Sequence, residues 1–260
     1  MNESEPDQGQ GQEAVHVEEQ AMQVLIRFGN CCNVDQAEGA KIMEAAKAAG
    51  KSSLSANEVY RILSAYNIPV ADWRLAANAE DAVKAADEIG YPVVIKADAE
   101  SILHKSDMGG VAINLADGAA VRAAVEKMQK KFSADDLRFF VQKYLPGGLE
   151  LIMGAKAEEG LGHAVMFGLG GIYVEIMKDV VFNLTPVASG EAREMLSSIK
   201  GSALLEGVRG QKGVDQAKLI EIIQRLSQLL TDLPAIQEMD LNPLMAFEDR
   251  VFVVDARISI

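Results

Sequence analysis

The residues best suited to phosphoryl chemistry lie in one segment, YPVVIKADAESILHKSDMGGVAINL, at positions 91–115. An apolar strand ends there at Lys96, and a loop then carries His104 and Lys105 before the adjacent Gly109 and Gly110. Lysines neutralise phosphate oxygens, paired glycines let the backbone approach a ligand, and neutral imidazole is a nucleophile toward phosphoryl groups. The segment therefore indicates a phosphoryl-binding site with His104 as a candidate nucleophile.

Each of these residues also has a structural interpretation. Lys96 can extend from the end of an apolar strand toward solvent, Gly109 and Gly110 can form a turn, and His104 can be a solvated loop residue. The loop matches neither GxxxxGK(S/T) nor GxGxxG, so its spacing alone identifies no nucleotide motif. From these residues alone, both interpretations stay open.

A second group of polar residues lies near the C-terminus, in IQEMDLNP and VFVVDARI. A hairpin turn centred on residues 248–249 sets Asn242 opposite Asp255 and Asp240 opposite Arg257, with each pair on one face of the sheet. Opposed Cβ atoms are roughly 5 Å apart, close enough for Asn and Asp oxygens to share a magnesium ion. The alternatives are a salt bridge between Asp240 and Arg257 and a simple turn at Asn242–Pro243.

Helix and strand signals predict the elements that position these residues. Apolar periodicity and capping residues, among them Ser55, Asn78 and Asp117, predict helices over 37–49, 55–66, 79–89, 117–128, 190–199 and 214–230. Alternating or continuous apolar runs predict strands over 70–75, 93–95, 111–115, 139–145, 149–154, 164–168 and 180–184, followed by the C-terminal pair. This mixture predicts an α/β (α+β) protein.

The sequence PGG at 146–148 marks a predicted boundary between two lobes, because Pro and paired Gly end a strand and permit a hinge. We predict a disordered acidic extension over 1–36, an N-terminal lobe with leading helices over 37–145, and a C-terminal lobe over 146–260. A nucleotide between the lobes would place its purine against backbone groups of Gln142, Lys143, Tyr144 and Leu145. An ordinary hairpin turn at 146–148 is the alternative.

Composition excludes several classes of protein. The formal charge of −13 argues against a surface for nucleic acid or an anionic membrane, and no apolar run reaches membrane-spanning length. Adjacent Cys31 and Cys32 suit neither an ordinary disulfide nor a metal knuckle, which favours a reducing cytoplasm. The GLGG run at 168–171 lacks the spacing of a dinucleotide-binding motif.

Five blocks in order carry a family resemblance: YPVVIKADAESILHKSDMGGV, VQKYLPGGLELIMG, GLGGIYVEIMKDV, EMDLNPL and VVDARI. Together they resemble the ATP-grasp beta subunit of ADP-forming acyl-CoA synthetases, of which acetate–CoA ligase is the best known and which are similar to succinyl-CoA synthetase. The resemblance covers about residues 45–260 and leaves the N-terminal extension unexplained.

The resemblance implies an ATP-grasp fold, two α/β lobes with ATP between them, and roles for particular residues. Lys96 would hold nucleotide phosphates, with the transferred group stabilised by Lys105 and the amides of Gly109 and Gly110. The remaining implied roles are adenine lining by Gln142 to Leu145, magnesium binding by Asn242 and Asp255, phosphorylation of His104 and support of the phosphohistidine by Asp240. Glu150 and Glu175 recur in the blocks without firm roles.

The implied ligase reaction is acyl-CoA, ADP and phosphate giving free acid, CoA and ATP. It requires ATP or ADP, Mg²⁺ and a CoA-binding alpha subunit, in an assembly expected to be an α2β2 heterotetramer. Two alternatives stay open: another ATP-grasp ligase, which would not need His104, and a non-catalytic nucleotide-sensing module, in which His104 would not be phosphorylated. The residues do not specify the acyl group.

Overall fold

The structure, a computed structural model, describes residues 33–99, 109–132, 136–171, 178–208, 210 and 212–260. The helices within these ranges are α1 Gln36–Ala48, α2 Ala56–Ala65, α3 Ala79–Ile89, α4 Gly118–Lys131, α5 Ser189–Ser198, α6 Ser202–Glu206 and α7 Gln216–Asp232. The strands are β1 Trp73–Ala76, β2 Val93–Asp98, β3 Val111–Leu115, β4 Arg138–Lys143, β5 Leu149–Glu158, β6 Gly162–Leu169, β7 Val180–Leu184, β8 Glu238–Ala246, β9 Val251–Val253 and β10 Ala256–Ser259.

The helix starts follow from local capping chemistry. Ser55 and Glu58 form the predicted capping box at α2, with the Ser55 N–H donating to Glu58 Oε2 at 2.8 Å. Asn78 and Asp117 accept backbone N–H groups in the first turns of α3 and α4. At α1 the cap is Asp35, so this helix begins one residue before the predicted start.

Strands β1 to β4 form a four-stranded sheet in the order β1-β4-β2-β3. Its neighbouring strands are antiparallel, and β2 pairs Lys96 with Phe140 of β4 and with Val111 of β3. Helices α3 and α4 cover one face, where Val121 and Val125 pack with Ile95 and Phe139. The predicted order of strand, helix, strand, strand, helix, strand is confirmed.

The strands after residue 146 form a second sheet in the order β10-β8-β5-β6-β7, with β9 also paired to β8. The predicted C-terminal register is confirmed: Arg257 pairs with Asp240, and the Asn242 N–H donates to the Asp255 carbonyl at 3.1 Å. The second strand of the expected hairpin is interrupted at residues 254–255, which separate β9 from β10. The interruption lies beside Asn242, where β8 also shifts its register against β5.

Apolar residues form a larger cluster on the second sheet, together with helices α5 and α7. The predicted stripe of α7 is fully buried there, at Leu219, Ile222, Ile223, Leu226, Leu229 and Leu230. The leading helices α1 and α2 contribute to the same cluster, so their side chains pack with the second sheet. The boundaries at 36 and 145 stay a prediction.

Backbone hydrogen bonds join the segment after α1 to the C-terminal strands. The Leu54 N–H donates to the Ile258 carbonyl at 3.0 Å, and the Ala71 N–H donates to the Val253 carbonyl at 3.1 Å. The chain enters the first sheet after Asp72 and leaves it at Lys143. These two points are adjacent, because the Lys143 N–H donates to the Asp72 carbonyl at 2.8 Å. None of the helices in the described ranges is both long and apolar enough to cross a membrane.

Candidate active site

Lys96 projects from β2 of the first sheet and reaches the second. Its Nζ donates to the carbonyl oxygen of Val254 at 2.6 Å and to Oδ1 of Asp255 at 3.0 Å. Both acceptors lie in the connection between β9 and β10. A candidate phosphate-binding lysine and a candidate metal-binding aspartate therefore come together from residues far apart in the sequence.

Asn242 and Asp255 lie opposite each other across β8 and the β9–β10 connection. The backbone hydrogen bond between them fixes their spacing, and the Asn242 side chain is exposed at this position. An amide oxygen and a carboxylate are the hard donors that Mg²⁺ binds, usually with its coordination completed by water and phosphate oxygens. No group of three or more His, Cys, Asp and Glu side chains in the described ranges could hold a metal alone. The pair fits a magnesium ion that also contacts a phosphate.

Asp240 lies two residues before Asn242 on the same face of β8. Burial raises the pKa of the Asp240 carboxyl; the charge of Arg257 opposes this rise, and the charges of Asp255 and Glu238 add to it. The register with Arg257 is the predicted one, but the two side chains form no ion pair within 4.0 Å in this part of the structure. Asp240 is therefore a partly buried acid beside the candidate metal-binding pair, Asn242 and Asp255.

The predicted purine-lining stretch is integrated into the first sheet. The Gln142 side chain is 2% exposed, and its Nε2 donates to the hydroxyl of Tyr60 at 2.9 Å. The N–H groups of Lys143 and Tyr144 donate to protein carbonyls, and the Lys143 Nζ donates to the carbonyls of Gly90 and Tyr91. The Gln142 and Lys143 side chains thus have partners within the protein.

The family model of the ATP-grasp domain matches residues 45–260. The beta subunit of ADP-forming acetate–CoA ligase I from Pyrococcus furiosus is 42% identical over 227 residues, covering 85% of this chain and 97% of the relative. The chain belongs to the ATP-grasp beta subunits of ADP-forming acyl-CoA ligases. This confirms the resemblance given by the five sequence blocks.

Other members of this ligase family are longer or have been solved with ligands. The ADP-forming 4-hydroxybutyrate–CoA ligase of Nitrosopumilus maritimus is 44% identical over 234 residues, but the chain spans only 34% of its length. A structure of acetyl-coenzyme A synthetase 1 from Candidatus Korarchaeum cryptofilum, solved with coenzyme A and Mg-AMPPCP, has a TM-score of 0.77 and 37% identity. This likeness covers 85% of our chain and 99% of that chain, and it confirms the ATP-grasp fold.

Glu150, which recurs in the family blocks, lies beside the turn that follows β6. The Gly170 N–H donates to its carbonyl at 2.8 Å, and a Cβ added at Gly171 would be 2.6 Å from its Oε2. Gly171 also has φ +59°, a backbone conformation that favours glycine. Glu150 therefore lies against the turn formed by Gly170 and Gly171.

Three ligase site residues predicted from the sequence, His104, Lys105 and Glu175, lie outside the described residues. Of the neighbouring glycines, Gly109 has φ +65°, and the Gly110 carbonyl accepts the Ala97 N–H at 2.7 Å. Gly110 therefore lies beside Ala97, the residue that follows Lys96 on β2.

Sequence reasoning missed two groups that shape this ligase site. Tyr60, on α2, is the partner of Gln142, and the Val254 carbonyl is an acceptor for Lys96. Nothing in the local sequence pairs Tyr60 with Gln142, which lies 82 positions away. Backbone carbonyls have no sequence signal of their own, so the contact of Lys96 with Val254 was not predictable from the sequence.

Proposed function

We propose that this chain is the nucleotide-binding beta subunit of an ADP-forming acyl-CoA synthetase. The complete enzyme would convert acyl-CoA, ADP and phosphate into free acid, CoA and ATP, reversibly. The observation that carries the proposal is the contact of Lys96 with Asp255, beside Asn242, because it unites phosphate-binding and metal-binding groups of the two sheets.

In this proposal His104 relays the phosphoryl group. Its neutral imidazole attacks phosphorus, an N–P bond forms as the bond to the donor breaks, and a terminal oxygen of ADP later attacks to release the imidazole. Lys96 holds the nucleotide phosphates, Lys105 and the Gly109 and Gly110 amides stabilise the moving group, and Asp240 orients the phosphorylated ring. Magnesium at Asn242 and Asp255 would supply charge neutralisation of the phosphates.

The purine is assigned to the backbone of residues 142–145. Gln142 and Lys143 are paired within the first sheet, and the Tyr144 N–H donates to the Pro92 carbonyl, so the base is assigned to the backbone at the end of the stretch, the Tyr144 carbonyl and the Leu145 peptide group. Glu150 and Glu175 are kept as candidate cofactor-binding residues without an assigned role.

The beta-subunit relatives bear the names of subunits, which implies an alpha partner. We assign CoA binding and acyl choice to that partner, in an α2β2 assembly located in the cytoplasm. The chain alone should bind Mg·ADP or Mg·ATP without forming acyl-CoA. Nucleic acid and membranes are not expected partners of a chain with a net charge of −13.

The decisive experiment co-expresses the chain with a CoA-binding subunit and measures ADP release over a panel of acids with CoA and Mg·ATP. His104→Asn should abolish turnover and the acid-labile phosphate label, whereas the matched control His16→Asn should retain both. Full turnover of His104→Asn would favour another ATP-grasp ligase. Nucleotide binding without any label on His104 in the assembled complex would favour a nucleotide-sensing module.

A further inference from the structure

The proposed phosphate-binding lysine and the proposed metal-binding aspartate are bound to each other in this structure. The 3.0 Å contact of Lys96 with Asp255 joins side chains that are 14% and 41% exposed, respectively. The pair therefore lies at the margin of the protein interior, where water screens charges only partly. The ammonium group of Lys96 is thus already paired with the Asp255 carboxylate, which is proposed to bind the metal.

The acceptors of this lysine are held by the backbone. The Val254 N–H donates to the Pro243 carbonyl, and the Asp255 carbonyl accepts the Asn242 N–H, each at 3.1 Å. Lys96 instead carries its charge on a flexible stem of four carbons. When a ligand enters, Lys96 is the partner that can move while the aspartate stays in place.

A magnesium ion and the ammonium group compete for the same carboxylate. Mg²⁺ binds oxygen at about 2 Å, so an ion held by Asn242 and Asp255 would lie close to the Lys96 ammonium group. Two cations at such short separation repel each other in a partly desolvated site. A polyphosphate relieves the conflict because its oxygens provide anionic partners for both cations.

We infer that Lys96 makes metal binding conditional on nucleotide: its ion pair with Asp255 disfavours Mg²⁺ alone, and nucleotide phosphates release the carboxylate by taking the ammonium group. This inference rests on the proposed function and adds to it an interdependence of the two ligands. By thermodynamic reciprocity, nucleotide raises metal affinity by the same factor as metal raises nucleotide affinity. Loss of Lys96 should therefore strengthen binding of free metal and weaken binding of nucleotide.

The test is a titration of the full chain with Mn²⁺ in the absence of nucleotide, followed by electron paramagnetic resonance of the free ion. Lys96→Met and Lys96→Gln should each bind Mn²⁺ about tenfold more tightly than the unmodified protein, because an ion pair and a like-charge repulsion are removed. In a parallel titration, both variants should bind Mg·ADP more weakly. The glutamine variant keeps an uncharged N–H donor at this position, and circular dichroism and Tm of both variants check that they fold.

Two controls locate the effect. Lys156→Met removes the same charge from β5, where Lys156 pairs with Glu238, and should bind Mn²⁺ as the unmodified protein does. Asp255→Asn added to Lys96→Met should abolish the gain.

Equal Mn²⁺ affinity in the unmodified protein and both Lys96 variants would overturn the inference, as would an equal gain in Lys156→Met. Failure of the unmodified protein to bind Mg·ADP would instead refute the proposed function.

Discussion

The buried hydrogen bond between Gln142 and Tyr60 allows a role in stability to be separated from a role in nucleotide binding. The two residues are 2% and 1% exposed, and the donor and acceptor atoms are 2.9 Å apart. Tyr60→Phe keeps the ring, which packs edge-on against Phe140 with centroids 4.7 Å apart, and removes only the acceptor. The Gln142 amide would then be buried without this partner, which costs about 1–3 kcal/mol.

We expect Tyr60→Phe to lower the free energy of unfolding by about 2 kcal/mol, which corresponds to about 4–8 °C in Tm for a chain of this size. Gln142→Leu should cost a similar amount because it leaves the tyrosine hydroxyl without its donor. Replacing both partners with apolar groups is less costly than the sum of the single changes. Urea denaturation of the full chain, with unchanged m values, measures this double-mutant cycle.

The same variants test the assignment of the purine site. Because the base is assigned to backbone groups, Gln142→Leu should leave the Kd for Mg·ADP unchanged while it lowers stability. Additive effects of the two substitutions on stability would refute the hydrogen-bond reasoning. A large loss of nucleotide affinity in a folded Gln142→Leu protein would show that the side chain itself contacts the ligand.

Three further substitutions have expected outcomes. Asp240→Asn should raise the free energy of unfolding at pH 7, because burial raises the pKa of Asp240 and disfavours its charged form. In urea denaturation at several pH values, this gain in stability should shrink as the pH falls through the raised pKa. It should vanish below the usual pKa of 3.8, where the carboxyl is neutral in both the folded and the unfolded protein. Asp179→Asn should lower the free energy of unfolding by about 1.5–3 kcal/mol in the same urea assay. This buried carboxylate accepts hydrogen bonds from two backbone N–H groups, each at 2.7 Å. Gly148→Ala should lower Tm more than Gly160→Ala does, because both have positive φ but only the first places a Cβ against the Phe247 ring and 3.1 Å from the Ala246 carbonyl oxygen; equal losses would refute the close packing at Gly148.

The parts of the fold that follow from local chemistry were predictable. The caps at Ser55, Asn78 and Asp117 fix helix starts because each side chain bonds a nearby backbone N–H. The register of Asn242 with Asp255 follows from strand alternation and one short turn, so sequence reasoning could set two distant residues face to face.

The parts that depend on contacts between distant segments were not predictable from the sequence. Lys96 meets Asp255 across 159 positions, and Tyr60 meets Gln142 across 82, without any local pattern that couples them. The short helix α6 was also missed, because five residues are too few for apolar periodicity to show. The packing of α1 and α2 with the second sheet depends on pairing with strands at the other end of the chain.

The adjacency of Asp72 and Lys143 has a consequence for synthesis on the ribosome. The first sheet begins just after Asp72 and ends at Lys143, and these two residues share a backbone hydrogen bond. All four strands of this sheet are therefore available once Lys143 has emerged from the exit tunnel. The larger core combines α1 and α2 with strands as late as β10, so the apolar faces of these early helices are fully covered only after Ile258 has emerged. Nascent chains released between these two points should therefore expose part of the α1 and α2 surface and be the species that chaperones bind.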